Sequence, residues 1–242
     1  MSRADEQTKT GRQGAEGVLR IFSAVPGATR LVLIRHGEAV CNVSSVVGGP
    51  KGCTGLTDLG RRQVVALAER LEEGGELRDA VALYSSPLPR ALETAALLRG
   101  AVGPAGRPLE VRQEDDLSEL RPGESDGMTW QEVIDTFGLP DWDVSADQPI
   151  APGGESWVTF VSRAAAMVRA LAQRHAGQVV VAAVHAGVIE SSMVHFLGVP
   201  REVQRKGWLR IQHASMTTWE YVPDDDRWIL LRFNDACGVP LV

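Results

Sequence analysis

Residues 31–42, LVLIRHGEAVCN, set an apolar run directly in front of Arg35, His36 and Gly37. Such a run reads as a buried strand, and a buried strand that ends on a cation and an imidazole needs an anion or water there. The device returns in 178–187, QVVVAAVHAG, which carries a second apolar strand into His185 and a glycine. Strands alternating with helices predict a three-layer α/β sandwich. Ligands of open α/β sheets bind at the carboxyl ends of strands, and Arg35, His36 and His185 stand at two such ends.

The intervening segments supply the other layers. In LTDLGRRQVVALAERLEEGG, Val64, Leu67, Ala68 and Leu71 share one helical face, and Gly74 and Gly75 stop the helix. DAVALYSS reads as a second buried strand. SPLPRALETAALL reads as a helix with Ser86 as N-cap, Pro87 at the first position and Arg90 beside the N-terminus. A short strand around PLEVR, an acidic turn-rich stretch and a helix through WQEVIDTFG follow. The long helix of PGGESWVTFVSRAAAMVRALAQRH is expected to bury Val158, Val161, Ala165 and Val168. The last strands alternate around PDDD as a hairpin. Residues 1–29 are polar, Gly- and Ala-rich and aperiodic, so they are expected to form a flexible lead-in to a domain at 30–242.

Composition narrows the function. The 242 residues, 44% hydrophobic, suffice for one good-sized domain, and the formal charge of −6 disfavours nucleic acid as a partner. No apolar run reaches the roughly 18 residues of a membrane span, and the opening residues are too polar for a secretory signal. A cytoplasmic protein without membrane contact is expected. Cys41, Cys53 and Cys237 are widely spaced, odd in number and form no C-x-x-C, so they read as small buried or half-buried thiols, with no disulfide framework or zinc site. Lysine occurs only at Lys9, Lys51 and Lys206. The arginine excess suits bidentate phosphate recognition, although GC-rich coding gives the same bias.

RHGEAVCN, SSPLPRALETA, PGGES and VVVAAVHAG, in that order, resemble the histidine phosphatase superfamily, over about Arg30 to Asp235. The resemblance implies a phosphoglycerate mutase-like fold, a three-layer α/β/α sandwich with a mostly parallel mixed central sheet. It also implies a phosphatase that acts on a small phosphorylated metabolite. His36 would be the nucleophile that forms a phosphohistidine, one ring nitrogen held by a backbone carbonyl beside Gly37. Arg35, Arg90, Asn42 and a protonated His185 would bind the phosphoryl oxygens. That donor set stands in for a metal, so neither metal nor cofactor is expected. Glu119 matches the family's acid and would protonate the leaving alcohol, then activate water. Glu114, Asp115, Asp116, Glu124 and Asp126 compete for that role, because Pro122 and Gly123 replace the family's usual pattern. Ala39 stands where many relatives carry a hydroxyl. A homodimer is compatible with the resemblance.

Other readings use the same residues. A phosphomutase would return the phosphoryl group to an organic acceptor, but VVGGPKGCTG lacks the aromatic and acidic marks of such enzymes. A non-catalytic phosphoester-binding module is a third reading. GESDG, 123–127, fits the serine-hydrolase G-x-S-x-G at Ser125 but lacks the preceding buried strand, and His36-x-Glu38 lacks the P-C-x-x-C of zinc deaminases. His175, His195 and His213 read as structural or solvated, with His213 near the pocket's flank. Trp130, Trp142 and Trp157 read first as core or rim packing and second as a substrate wall. Specificity is assigned to loops 43–56, 114–127 and 139–154, which point to no single substrate.

Overall fold

The first strand, β1 (Thr29–Arg35), serves two cores because its side chains alternate between faces. Leu31 and Leu33 pack with Phe160, Val168, Ile189 and Trp219 on one side. Val32 and Ile34 pack with Val64, Leu67, Leu71 and Leu98 on the other. The structure is a computed structural model and describes residues 25–204 and 206–240, so residues 1–24 of the expected lead-in lie outside it.

After β1 come α1 (Val40–Val43), α2 (Asp58–Gly74), β2 (Ala80–Ser85), α3 (Pro89–Leu98) and β3 (Val111–Gln113). Then follow α4 (Trp130–Phe137), α5 (Trp157–Arg174), β4 (Val179–Val184), α6 (Ala186–Phe196), α7 (Arg201–Gln204), β5 (Met216–Val222) and β6 (Arg227–Asp235). The six-stranded sheet runs β3-β2-β4-β1-β5-β6. Parallel pairing joins β3 to β2, β2 to β4 and β4 to β1, whereas β5 is antiparallel to β1 and to β6. Helices α5 and α6 cover one face and α2 and α3 the other. This is the expected three-layer mixed sandwich, and the β5–β6 hairpin turns at PDDD as read. Among the described residues no helix is long and apolar enough to cross a membrane.

Two local expectations are corrected. Helix α3 begins at Pro89, with Leu88 as an extended N-cap at φ −68° and ψ 135°. Leu88 precedes a proline, which disfavours helical backbone at that residue, so Pro87 and Ser86 stay outside the helix. In α5 the buried face is Phe160, Ala164, Val168 and Leu171, with Ala165 and Ala172. Val158 is exposed and Val161 half-buried. The 3.6-residue period admits both stripes, and the bulk of Phe160 selects the one that fills the core. Helix α2 buries Val64, Leu67 and Leu71 as expected and closes at Gly75, whose φ of 64° is the left-handed cap glycine adopts readily.

Candidate active site

Adjacent parallel strands β1 and β4 bring their C-terminal ends together, because Arg35 pairs with Val184 in register. His36 and His185, each the next residue, therefore lie side by side with ring centroids 5.2 Å apart. Both rings are buried. His36 Nδ1 lies 2.7 Å from the Gly37 carbonyl, which as an acceptor fixes the proton on Nδ1 and leaves Nε2 unprotonated. That is the carbonyl contact expected from sequence. Gly37 allows it because a Cβ there would sit 2.4 Å from the Gly60 carbonyl oxygen at the start of α2.

Arg90, on the first turn of α3, joins the two rings. Its Nε–H points between His36 Nε2 at 3.1 Å and His185 Nδ1 at 3.2 Å. Nη1 donates to the Gly48 carbonyl at 2.6 Å. Since His185 Nδ1 accepts from Arg90, its Nε2 carries the proton toward Ser86 Oγ, 2.8 Å away. Arg35 donates to the Ile211 carbonyl, and its buried Nε has no partner. Burial lowers the Arg35 pKa to about 10.

Burial, reinforced by Arg90 and Arg35, holds both His36 and His185 well below the usual imidazole range. Burial and the two guanidiniums thus favour the neutral form of His185, and the protonated form expected from sequence requires a negative charge beside it. His213 sits with its ring 5.7 Å from His36, its buried Nε2 lacks a partner, and burial lowers its pKa to about 3. Neutral buried imidazoles give stability a definite pH sign. The unfolded chain takes up protons near pH 6.5 that the fold refuses at the three rings, whereas Glu190, raised by burial to about 7, takes one up in the fold and offsets one ring. Net stability is expected to fall below about pH 6.5 by up to about 1.4 kcal/mol per pH unit for each of the other two rings. Urea midpoints between about pH 7.5 and 5 measure this; a flat midpoint would mean that the rings are protonated in the fold.

Of the six acidic candidates, Glu119 alone lines the cavity that holds His36, Arg35, Arg90 and Asn42. Its Oε1 accepts from Leu120 N and its Oε2 from Gly187 N, both at 3.1 Å. The others have different duties. Glu114 pairs with Arg174, Asp115 and Asp116 pair with Arg121, Asp126 accepts from the backbone of Lys51 and Gly52, and Glu124 is exposed. Asn42 Oδ1 accepts from Ala39 N at 3.0 Å, which leaves its amide –NH2 to reach a ligand. Ser125 is buried and donates to the Pro122 carbonyl at 2.7 Å in a short 3-10 turn, so it is no nucleophile elbow.

The structure adds residues that sequence reading missed. Ser86, read as a helix cap, holds His185. His213 lies beside the His36 ring, on the wall of a neighbouring cavity it shares with Arg35 and Gln212, where its neighbour motif gave only a hint. The three tryptophans line the cavity, which is the rim position expected of them, and Trp157 also packs against the core. Cys41 and Cys53, distant in sequence, meet beside Arg90. The hydrogen bond from Cys41 lowers the Cys53 thiol below its usual range, and Cys237 is exposed rather than buried.

The sequence profile of the histidine phosphatase superfamily, branch 1, matches residues 31–236. The chain belongs to the histidine phosphatase superfamily. Among its histidine phosphatase relatives, a metal-independent phosphoserine phosphatase of Arabidopsis thaliana is 29% identical over 214 residues, 86% of this chain and 82% of that protein. A glucosyl-3-phosphoglycerate phosphatase of Mycolicibacterium vanbaalenii is 34% identical over 179 residues, 71% of this chain and 75% of that one. The solved structure of Bacillus stearothermophilus YhfR superposes with a TM-score of 0.73 at 29% identity, covering 88% of this chain and 100% of that chain. As a histidine phosphatase with phosphatase relatives, this chain is a phosphoric monoester hydrolase.

Proposed function

We propose that residues 30–242 form a metal-independent phosphatase that hydrolyses a small phosphomonoester through a phosphohistidine on His36. The observation that carries this reading is the His36 ring, whose Nδ1 is tied to a carbonyl while its Nε2 meets Arg90 at the cavity floor. Nε2 attacks phosphorus, and the bond to the alcohol oxygen breaks on the opposite side. Splitting one displacement into two is the gain of covalent catalysis.

Arg35 Nε and Arg90 Nη2 reach the phosphoryl oxygens, joined by the Asn42 amide. Their charge grows in effect as the transition state forms in a site shielded from water. The incoming dianion offsets both guanidiniums, and His185 then takes up a proton and becomes a further donor. Glu119 protonates the departing alkoxide, then draws a proton from the water that cleaves the P–N bond and restores His36. Three free cysteines suit a reducing compartment, and the reading places the enzyme in the cytoplasm.

Glu119→Gln tests the proton step. It is expected to lower kcat on alkyl phosphates by a factor on the order of 100, with a much smaller loss on 4-nitrophenyl phosphate, whose phenolate leaves without a proton. An equal loss on both substrates would remove Glu119 from the role of acid.

A further inference from the structure

Resting on the phosphatase reading, we propose that the alcohol half of the substrate is an uncharged aryl-bearing group, so that this site takes arylalkyl phosphomonoesters lacking a second anion. The cavity, about 390 Å³, has its two arginines, Arg35 and Arg90, at the His36 end. Trp130, Trp142, Trp157 and Phe160 also line it. Trp142 and Trp157 lie with centroids 6.0 Å apart and 31° between planes, and Phe160 continues the surface 5.9 Å from Trp157.

The polar edges of two of these rings are already committed to the protein. The Trp142 indole N–H donates to the Gln148 carbonyl at 2.8 Å, and that of Trp157 donates to Gln204 Oε1 at 3.2 Å. What they offer a ligand is ring surface, which stabilises an aromatic group by burial and offset stacking. Among the described residues that line that end, none is a cation for a carboxylate or second phosphate to meet. The loop 139–154 that carries Trp142 contains Asp141, Asp143 and Asp147 and neither lysine nor arginine. Of the neighbouring cations, Arg121 and Arg163 are paired with Asp115, Asp116 and Glu155, and Arg201, outside the lining, donates to the Gln204 Oε1 that also holds Trp157. A second anion would shed hydration without compensation. A sugar would lay a C–H face on the rings, but its hydroxyl edges would meet just Ser45 and Asn42 as uncharged polar side chains in the described lining. The preference proposed here differs from phosphoserine and glucosyl-3-phosphoglycerate, which carry carboxylates and for which two relatives are named.

Four monophosphates of primary alcohols separate the substrate class from the chemistry: 2-phenylethyl phosphate, propyl phosphate, phosphoserine and glucose 6-phosphate. Phosphate release should give 2-phenylethyl phosphate a kcat/KM about 10-fold or more above propyl phosphate, with phosphoserine and glucose 6-phosphate below it. Trp142→Ala should bring the first ratio to within about 3-fold. Equal or faster release from phosphoserine or glucose 6-phosphate, or an unchanged ratio in the Trp142 variant, would overturn the aryl assignment while leaving the phosphatase intact. Calorimetric binding of the same compounds to the His36→Ala protein decides the matter without turnover. Tighter binding of 2-phenylethyl phosphate supports the assignment even if wild-type protein hydrolyses none of the four, a result that would instead remove the phosphatase reading. Equal or weaker binding overturns it.

Discussion

His36→Ala is expected to lower kcat/KM by a factor on the order of 10⁵ to 10⁶, the loss that follows when a nucleophile is deleted from machinery acting as a unit. The variant should still fold. Removing the ring leaves the Arg90 Nε–H its second acceptor, His185 Nδ1 at 3.2 Å, and Nη1 keeps the Gly48 carbonyl. Loss of activity at an unchanged unfolding midpoint would therefore report chemistry rather than collapse. A second readout is covalent. Rapid acid-avoiding quench of wild-type protein with labelled substrate should trap an alkali-stable, acid-labile phosphoenzyme, absent from the variant. Full activity in His36→Ala would transfer the nucleophile's role elsewhere and end the phosphohistidine mechanism.

Arg90→Ala carries the next largest expected effect, about 10³-fold in kcat/KM, or about 4 kcal/mol of transition-state stabilisation. The guanidinium does more than meet phosphate. Its single Nε–H spans His36 and His185 and sets the angle at which the nucleophilic nitrogen faces the cavity. The loss should accordingly fall on kcat as well as on KM, and vanadate should bind more weakly. Arg90→Lys is expected to recover little. An ammonium keeps the charge but lacks a planar fork that can hold two imidazoles and the Gly48 carbonyl at once. Recovery of most of the activity by lysine would show that charge alone matters at this position.

Much of the site was legible because its chemistry sits where strands end. His36 and His185 announce themselves as polar residues abutting apolar runs, and parallel pairing of those runs brings the rings together. Arg90 was legible as a cation near a helix start, although the helix begins two residues later than Ser86 and Pro87 suggested. That shift has a cause in the sequence itself, the proline after Leu88, and it frees Ser86 to hold His185. Glu119 was one of six carboxylates in a crowded stretch. Only packing could separate them, because the decisive facts are ion pairs between distant positions, such as Glu114 with Arg174.

His213 and the tryptophans were the hardest to read. No period or spacing ties His213 to His36; its place follows from the segment before β5 crossing the end of β1, where Arg35 N donates to the Ser215 carbonyl. Trp142 lies in an irregular loop, whose course is set by side-chain to backbone bonds, including Asp141 Oδ1 accepting from Asp143 N and Val144 N. Such bonds can form in many loops of similar composition, so the loop's direction over the cavity is a property of the whole fold. The α5 stripe shows the same limit in a regular element. Val158 and Phe160 are both apolar, and the choice between them depends on which neighbour supplies a matching cavity.

The contact between Gly37 and Gly60 has a consequence for anyone who would re-engineer this enzyme. A Cβ at Gly60 would stand 2.0 Å from the Glu38 carbonyl oxygen, as one at Gly37 would stand 2.4 Å from that of Gly60. Two main chains thus touch with no side chain between them to be trimmed or rotated, and laboratory evolution finds no gradual route through either position. Libraries aimed at new substrates belong in the tryptophan-bearing loop, and the seat of the nucleophile is best copied unaltered.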